Sequence, residues 1–190
     1  MEDQIKAMFE ESSLLLQQTK LTAEIQNTVR LLCDTFRKGG KVFTCGNGGS
    51  LEQAQHIAGE LVDRFRIERT ALPVITLGSN PAVLTAWAND YDYKTAFKRE
   101  LEALANAGDC LMVLSTSGNS ANVVEAVTHA KKSGVKTVGF LGEGGTLKNM
   151  VDIALSVPSH DTPRIQEVHM VLIHIICELV EKEMAGVKAQ

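Results

Sequence analysis

A histidine and a glutamate four residues apart, His56 and Glu60, follow a glycine-rich run in CGNGGSLEQAQHIAGE, residues 45–60. At that spacing they share one helix face. An imidazole and a carboxylate there could bind a metal or move protons. The preceding Asn47, Gly48, Gly49 and Ser50 form an unbulky loop. Glycines let a backbone approach a ligand closely, and a helix start offers free N–H groups to an anion. The same letters also suit a tight strand-to-helix turn with a solvated His and Glu. A second run, STSGNS at 115–120, brings the hydroxyls of Ser115, Thr116, Ser117 and Ser120 to another helix start. That is a cradle for a phosphate dianion, or else a serine-rich turn with an N-cap. Neither loop is followed by the G-K-[ST] of a P-loop, so nucleoside triphosphate chemistry is not expected.

Further along, Gln166 and His174 lie eight residues apart in an apolar, helix-like stretch. They would sit about 80° apart around the axis and could converge on His56 and Glu60. Two imidazoles, a carboxylate and an amide oxygen could hold zinc. The same groups could be an acid/base pair beside a carbonyl, or satisfied core and interface residues. His129, beside Lys131 and Lys132, reads as a wet-face residue. His160 falls in the PSHDTP loop, and His169 need not face the way His174 does. Asn89 and Asp90 end an apolar helix, either as a stop or to bond sugar hydroxyls.

The elements that must position these residues alternate. Helices are expected over 2–19 and 22–38, the second with Ile25, Val29, Leu32, Cys33 and Phe36 at helical spacing and Gly39-Gly40 as its stop. KVFTC is a strand, and a helix from Ser50 to Arg66 follows, with the serine as N-cap. PVITL is the second strand, with helical segments near 80–88 and 94–106. CLMVLST is the third, with a helix over 121–133. KTVGFLG and IALSVP are the fourth and fifth, separated by GEGGT and a short helix, and a final helix runs over 164–184. The strands are apolar without alternation, as in a parallel sheet covered on both faces. The order gives an α/β, doubly wound, five-stranded parallel sheet flanked by helices, with an N-terminal helical segment. Ligands in such sheets bind at the carboxyl ends of strands near a topological switch point, where both loops fall.

The final helix, with VHMVLIHIICELV, is apolar nearly all round. Such a helix must be buried on every side, and a chain of 190 residues is too short to surround it alone. An oligomer is expected, with the N-terminal helices of residues 1–38 joining the contact. Nothing marks a second domain, so residues 1–190 read as one.

Composition excludes several classes. A net charge of −4 argues against a nucleic-acid surface. No apolar run reaches the roughly 18 residues of a membrane span, and the acidic, amphipathic start is wrong for a signal peptide. Cys33, Cys45, Cys110 and Cys177 form no C-x-x-C pair. They read as buried free thiols in a reducing cytoplasm, not as a zinc-thiolate site.

Taken together, CGNGGS, AQHIAGEL, AND, STSGNSANV and TPRIQEVHMVLIHIICELVEKE resemble the sugar isomerase (SIS) domain family, and within it the phosphoheptose isomerases. The resemblance covers nearly the whole chain. It implies a flavodoxin-like SIS fold assembled as a homotetramer with sites at subunit interfaces. It implies conversion of D-sedoheptulose 7-phosphate to D-glycero-D-manno-heptose 7-phosphate, an early step toward surface polysaccharide. Sugar-phosphate contacts would fall on Asn47, Gly48, Gly49, Ser50, Glu60, Asn89, Asp90, Ser115, Thr116, Ser117, Ser120 and Gln166. Zinc, one ion per subunit, would be held by His56, Glu60, Gln166 and His174, and Glu60 and His174 would be the acid/base residues. Two departures stand out: Leu51-Glu52 where relatives carry small residues, and Pro163 where some carry Asp. The same fold also serves a non-enzymatic DnaA-initiator-associating regulator, which lacks the Glu and His at positions 60 and 174. An isomerase or sensor for another sugar phosphate is a third reading.

Overall fold

The computed structural model describes residues 1–186. Two helices, α1 (Glu2–Gln18) and α2 (Thr22–Arg37), lead into β1 (Val42–Cys45) and α3 (Gly49–Val62). Then come β2 (Val74–Thr76), α4 (Pro81–Asp90), a 3-10 turn (Tyr93–Thr95) and α5 (Ala96–Leu104). The chain continues through β3 (Cys110–Ser115), α6 (Ala121–Lys132), β4 (Lys136–Leu141), a second 3-10 turn (Thr146–Asn149), β5 (Ile153–Ser156) and α7 (Thr162–Met184).

The five strands pair in the order β2-β1-β3-β4-β5, every pair parallel. All residues of β1 and β3 are buried, which explains their unbroken apolar runs. Successive side chains still point to opposite faces. Val42, Met112, Leu114 and Phe140 enter one core with α2, α3 and α7. Phe43, Leu111, Val113 and Leu141 enter the other, with α5 and α6. The order reverses between β1 and β3, so the loops leaving those two strands open a crevice at the switch point.

Three expectations are corrected. The N-cap of α3 is Gly48, at φ 53°, and Ser50 lies buried inside the first turn. A positive φ there turns the chain sharply, which a serine cap would not do. That helix ends at Val62, short of Arg66. The final helix begins earlier than Arg164 because Pro163 occupies its first turn, where a missing N–H costs nothing.

The final helix is not wrapped on all sides by its own chain. Val171, Ile175 and Leu179, spaced by four, are 39%, 39% and 37% exposed along one stripe. On α1, Ile5, Met8 and Phe9 are exposed as well. The four cysteines are free and buried, as expected. Burial raises the thiol of Cys33 to about 11 and that of Cys177 to about 12. Thiolate chemistry is therefore absent from them near neutral pH. No described helix is long and apolar enough to cross a membrane.

Candidate functional site

The reversal between β1 and β3 places the glycine loop beside the serine loop. Side chains lock them together. Asn47 Nδ2 donates to Asn122 Oδ1 at 2.9 Å, and Asn122 Nδ2 returns a bond to Asn47 Oδ1 at 2.9 Å. Tyr93 Oη also donates to Asn47 Oδ1, at 2.7 Å. Asn47 thus has its oxygen doubly occupied and one amide hydrogen left to spend. Asn122 and Tyr93 were not singled out from sequence. An Asn in the first turn of a helix and a Tyr after a helix stop carry no local signal of a shared partner.

The serine loop is ordered by its own groups. Ser115 Oγ and Ser120 Oγ are 3.0 Å apart, and Asn119 N donates to Ser117 Oγ at 3.2 Å. Thr116 Oγ1 lies 3.2 Å from Thr162 Oγ1 at the start of α7. The segment after β4 braces the loop from outside. Leu147 N donates to the Gly118 carbonyl at 3.0 Å, and Thr146 N to Asn119 Oδ1 at 2.9 Å. Ser117 remains exposed, with the start of α6 behind it. Hydroxyls, turn N–H groups and a helix start facing one space suit an anion.

The chemical groups gather where α3 meets α7. His56 Nε2 is 3.0 Å from His174 Nε2 and 3.1 Å from Glu60 Oε1. The ligand atoms of these three residues all lie within 4.8 Å of one another. Two imidazole nitrogens that close require either a shared proton or a cation between them. Three such donors could close on one metal ion. Gln166 shares a cavity of about 330 Å³ with His56, Gly49, Gln53 and Glu52. Its Nε2 points at Ser50 Oγ, 3.4 Å away. Glu52, the unusual residue of the glycine loop, therefore adds a carboxylate to the wall of that cavity.

Other predicted residues separate from this group. Asn89 and Asp90 are exposed at the end of α4 and hydrogen-bond each other, at 2.8 Å. His169 is fully buried, facing Phe140 and the Leu141 carbonyl oxygen, 3.3 Å from its Nε2. Burial lowers its pKa to about 4, against the weaker pull of that carbonyl. His160 is exposed beside Glu143, and His129 bonds Ser133 at the end of α6.

Known proteins resemble the chain in both sequence and fold. The SIS domain family model matches residues 8–142. A protein of Clostridium acetobutylicum named phosphoheptose isomerase is 47% identical over 188 residues, 98% of this chain and 96% of its own. One of Roseiflexus, of the same name, is 53% identical over 152 residues, 80% of this chain and 77% of its own. Among solved structures, the phosphoheptose isomerase from Francisella tularensis superposes with a TM-score of 0.91 at 36% identity, covering 95% of this chain and 97% of that one.

Proposed function

The chain belongs to the SIS domain family, and we propose that it acts as a phosphoheptose isomerase, interconverting D-sedoheptulose 7-phosphate and D-glycero-D-manno-heptose 7-phosphate. The observation that carries the chemistry is the approach of Glu60 and His174 around His56, at 3.1 Å and 3.0 Å. A ketose becomes an aldose when a proton leaves C1 and another arrives at C2. The barrier is the weak acidity of a C–H beside a carbonyl and the enediolate charge that follows. One group must take the proton and one must return it. Glu60 and His174 are the pair for these two roles.

The sugar phosphate is held at its far end. Ser115, Thr116, Ser117 and Ser120, with the N–H groups at the start of α6, bind the dianion. Gly48, Gly49, Ser50 and the spare amide hydrogen of Asn47 meet the chain of hydroxyls, with Gln166 on the opposite wall. Asn89 and Asp90 reach hydroxyls from the end of α4. This remote binding fixes C1 and C2 against the proton-transferring groups. With a net charge of −4 the protein offers no long-range attraction to a dianion, so recognition is local.

His56, Glu60, Gln166 and His174 would hold one zinc ion per subunit, which when bound supplies a Lewis acid for the carbonyl and positive charge for the enediolate oxygens. A Glu engaged in that way is a weaker base, so its two roles compete.

Residues 1–190 act as one unit in the cytoplasm, and the helices of 1–38 serve assembly. The exposed apolar stripe of α7 and the apolar residues of α1 support a homotetramer. His174 flanks that stripe, one turn from Val171, so a docked copy would wall the site. The deciding experiment is incubation of the purified protein with sedoheptulose 7-phosphate, followed by NMR for the aldose. Other ketose phosphates run beside it. No aldose from any of them, with Zn²⁺ supplied, would sink the reading.

A further inference from the structure

The end of α3 that carries Glu60 is tied to α7 by a buried charge pair. Glu181 is fully buried on α7. Its carboxylate accepts three successive main-chain N–H groups: Phe65 at 2.8 Å, Arg66 at 2.6 Å and Ile67 at 2.9 Å. Arg69 Nε stands 3.4 Å from the same carboxylate, and the two side chains are 3% and 1% exposed. That contact is one of charge without an aligned hydrogen bond. The guanidinium spends its hydrogen bonds on carbonyls instead. Nη2 donates to the Glu60 oxygen at 3.0 Å, and Nη1 to those of Asp63 at 3.3 Å and Thr70 at 3.1 Å.

Two side chains therefore satisfy six main-chain groups, one at the end of α3 and five in the irregular segment that leads from it to β2. One of these is the carbonyl of Glu60 itself, among the last carbonyls of α3, which have no partner within the helix. Another belongs to Phe65, whose ring centroid lies 5.8 Å from that of His174. Glu181 follows His174 by two turns of α7, so both project toward the same side of that helix. The pair thus touches the frame of Glu60 from one side and the packing of His174 from the other.

We propose that Arg69 and Glu181 are positioning residues that set the separation of α3 from α7 and so hold His56, Glu60 and His174 in register. The inference rests on reading that cluster as the isomerase centre. An ammonium cannot reproduce the fork: Lys at position 69 keeps the charge beside Glu181 but cannot reach three carbonyls in different directions. Partners that orient ligating or reacting groups are typically worth 10–100-fold in metal affinity or activity.

The test uses the full-length Arg69→Lys and Glu181→Gln proteins with three readouts. These are kcat and KM for sedoheptulose 7-phosphate, Co²⁺ affinity from its visible spectrum, and imidazole ¹⁵N shifts of His56 and His174 in metal-free protein. In Arg69→Lys, kcat and Co²⁺ affinity should each fall at least about tenfold. KM should stay within about twofold, because the phosphate is held elsewhere. The shifts of both histidines should move. A folded Arg69→Lys with wild-type kcat, Co²⁺ affinity and shifts overturns the proposal. So does failure of both variants to fold, which would make the pair a folding determinant only. If the wild type isomerises nothing, the functional reading falls, while Co²⁺ affinity and the shifts still judge the clamp.

Discussion

Replacing Gly145 with Ala should cripple sugar-phosphate binding without replacing any proposed ligand. Gly145 has φ 93°, a conformation costly for residues with a side chain. A Cβ there would press on the Ser117 carbonyl oxygen and lie 2.5 Å from Gly118 Cα and 2.6 Å from Gly118 C. All three atoms are backbone of the serine loop, so no side chain can swing aside. To reach ordinary contact the two segments must part by close to 1 Å, and a misplacement of about that size costs roughly a hundredfold in rate constant. Backbone strain adds about 1–3 kcal/mol of lost stability. Gly108 separates the two effects. It has φ 94° but nothing within 4 Å of an added Cβ. Gly108→Ala should lose stability by a similar strain and keep its kinetics. The assay is steady-state isomerisation of sedoheptulose 7-phosphate, with urea unfolding of both variants. We expect kcat/KM of Gly145→Ala to fall about a hundredfold, chiefly through KM. Unchanged KM in a folded Gly145→Ala protein would refute the placement of the phosphate in this loop.

Four further outcomes are expected. Glu60→Gln and His174→Asn should each lower turnover at least about a hundredfold, with binding through the serine loop largely kept; near-wild-type turnover in both would discard the proton-transfer pair. Ser117→Ala combined with Ser120→Ala should weaken sugar-phosphate binding at least about tenfold by calorimetry, since hydrogen bonds to a charged group are worth roughly 1.5–3 kcal/mol each. His169, with its pKa lowered to about 4, stays neutral when folded while the unfolded chain takes up its proton below pH 6.5. Stability is therefore lost as pH falls through that window, by about 2 kcal/mol between pH 7.5 and 5. His169→Gln should remove that part of the slope in urea titrations, and an unaltered slope would contradict it. Light scattering should show a tetramer at micromolar concentration, and a stable monomer would remove the assembly.

The amino-acid sequence was informative wherever the chemistry is local. His56 and Glu60 share a face because four residues make about one helical turn. The small residues of the two loops announce themselves by composition, and unbroken apolar strands announce a sheet covered on both sides. Even the crevice between the loops follows from strand order rules once the strands are recognised. What stayed illegible depends on partners far apart in the chain. Asn47 and Asn122 bond each other across 75 residues, and Glu181 caps the N–H groups of residues 65–67 across more than a hundred. In sequence, Arg69 and Glu181 look like any solvated charges, because burial is a property of the packed layers. Likewise His169 and His174 share one apolar helix. Only packing sends one into the core against Phe140 and leaves the other at the surface beside His56. A helix pattern gives the angle between two side chains, but what each one faces is set by the neighbours that the tertiary fold brings to it.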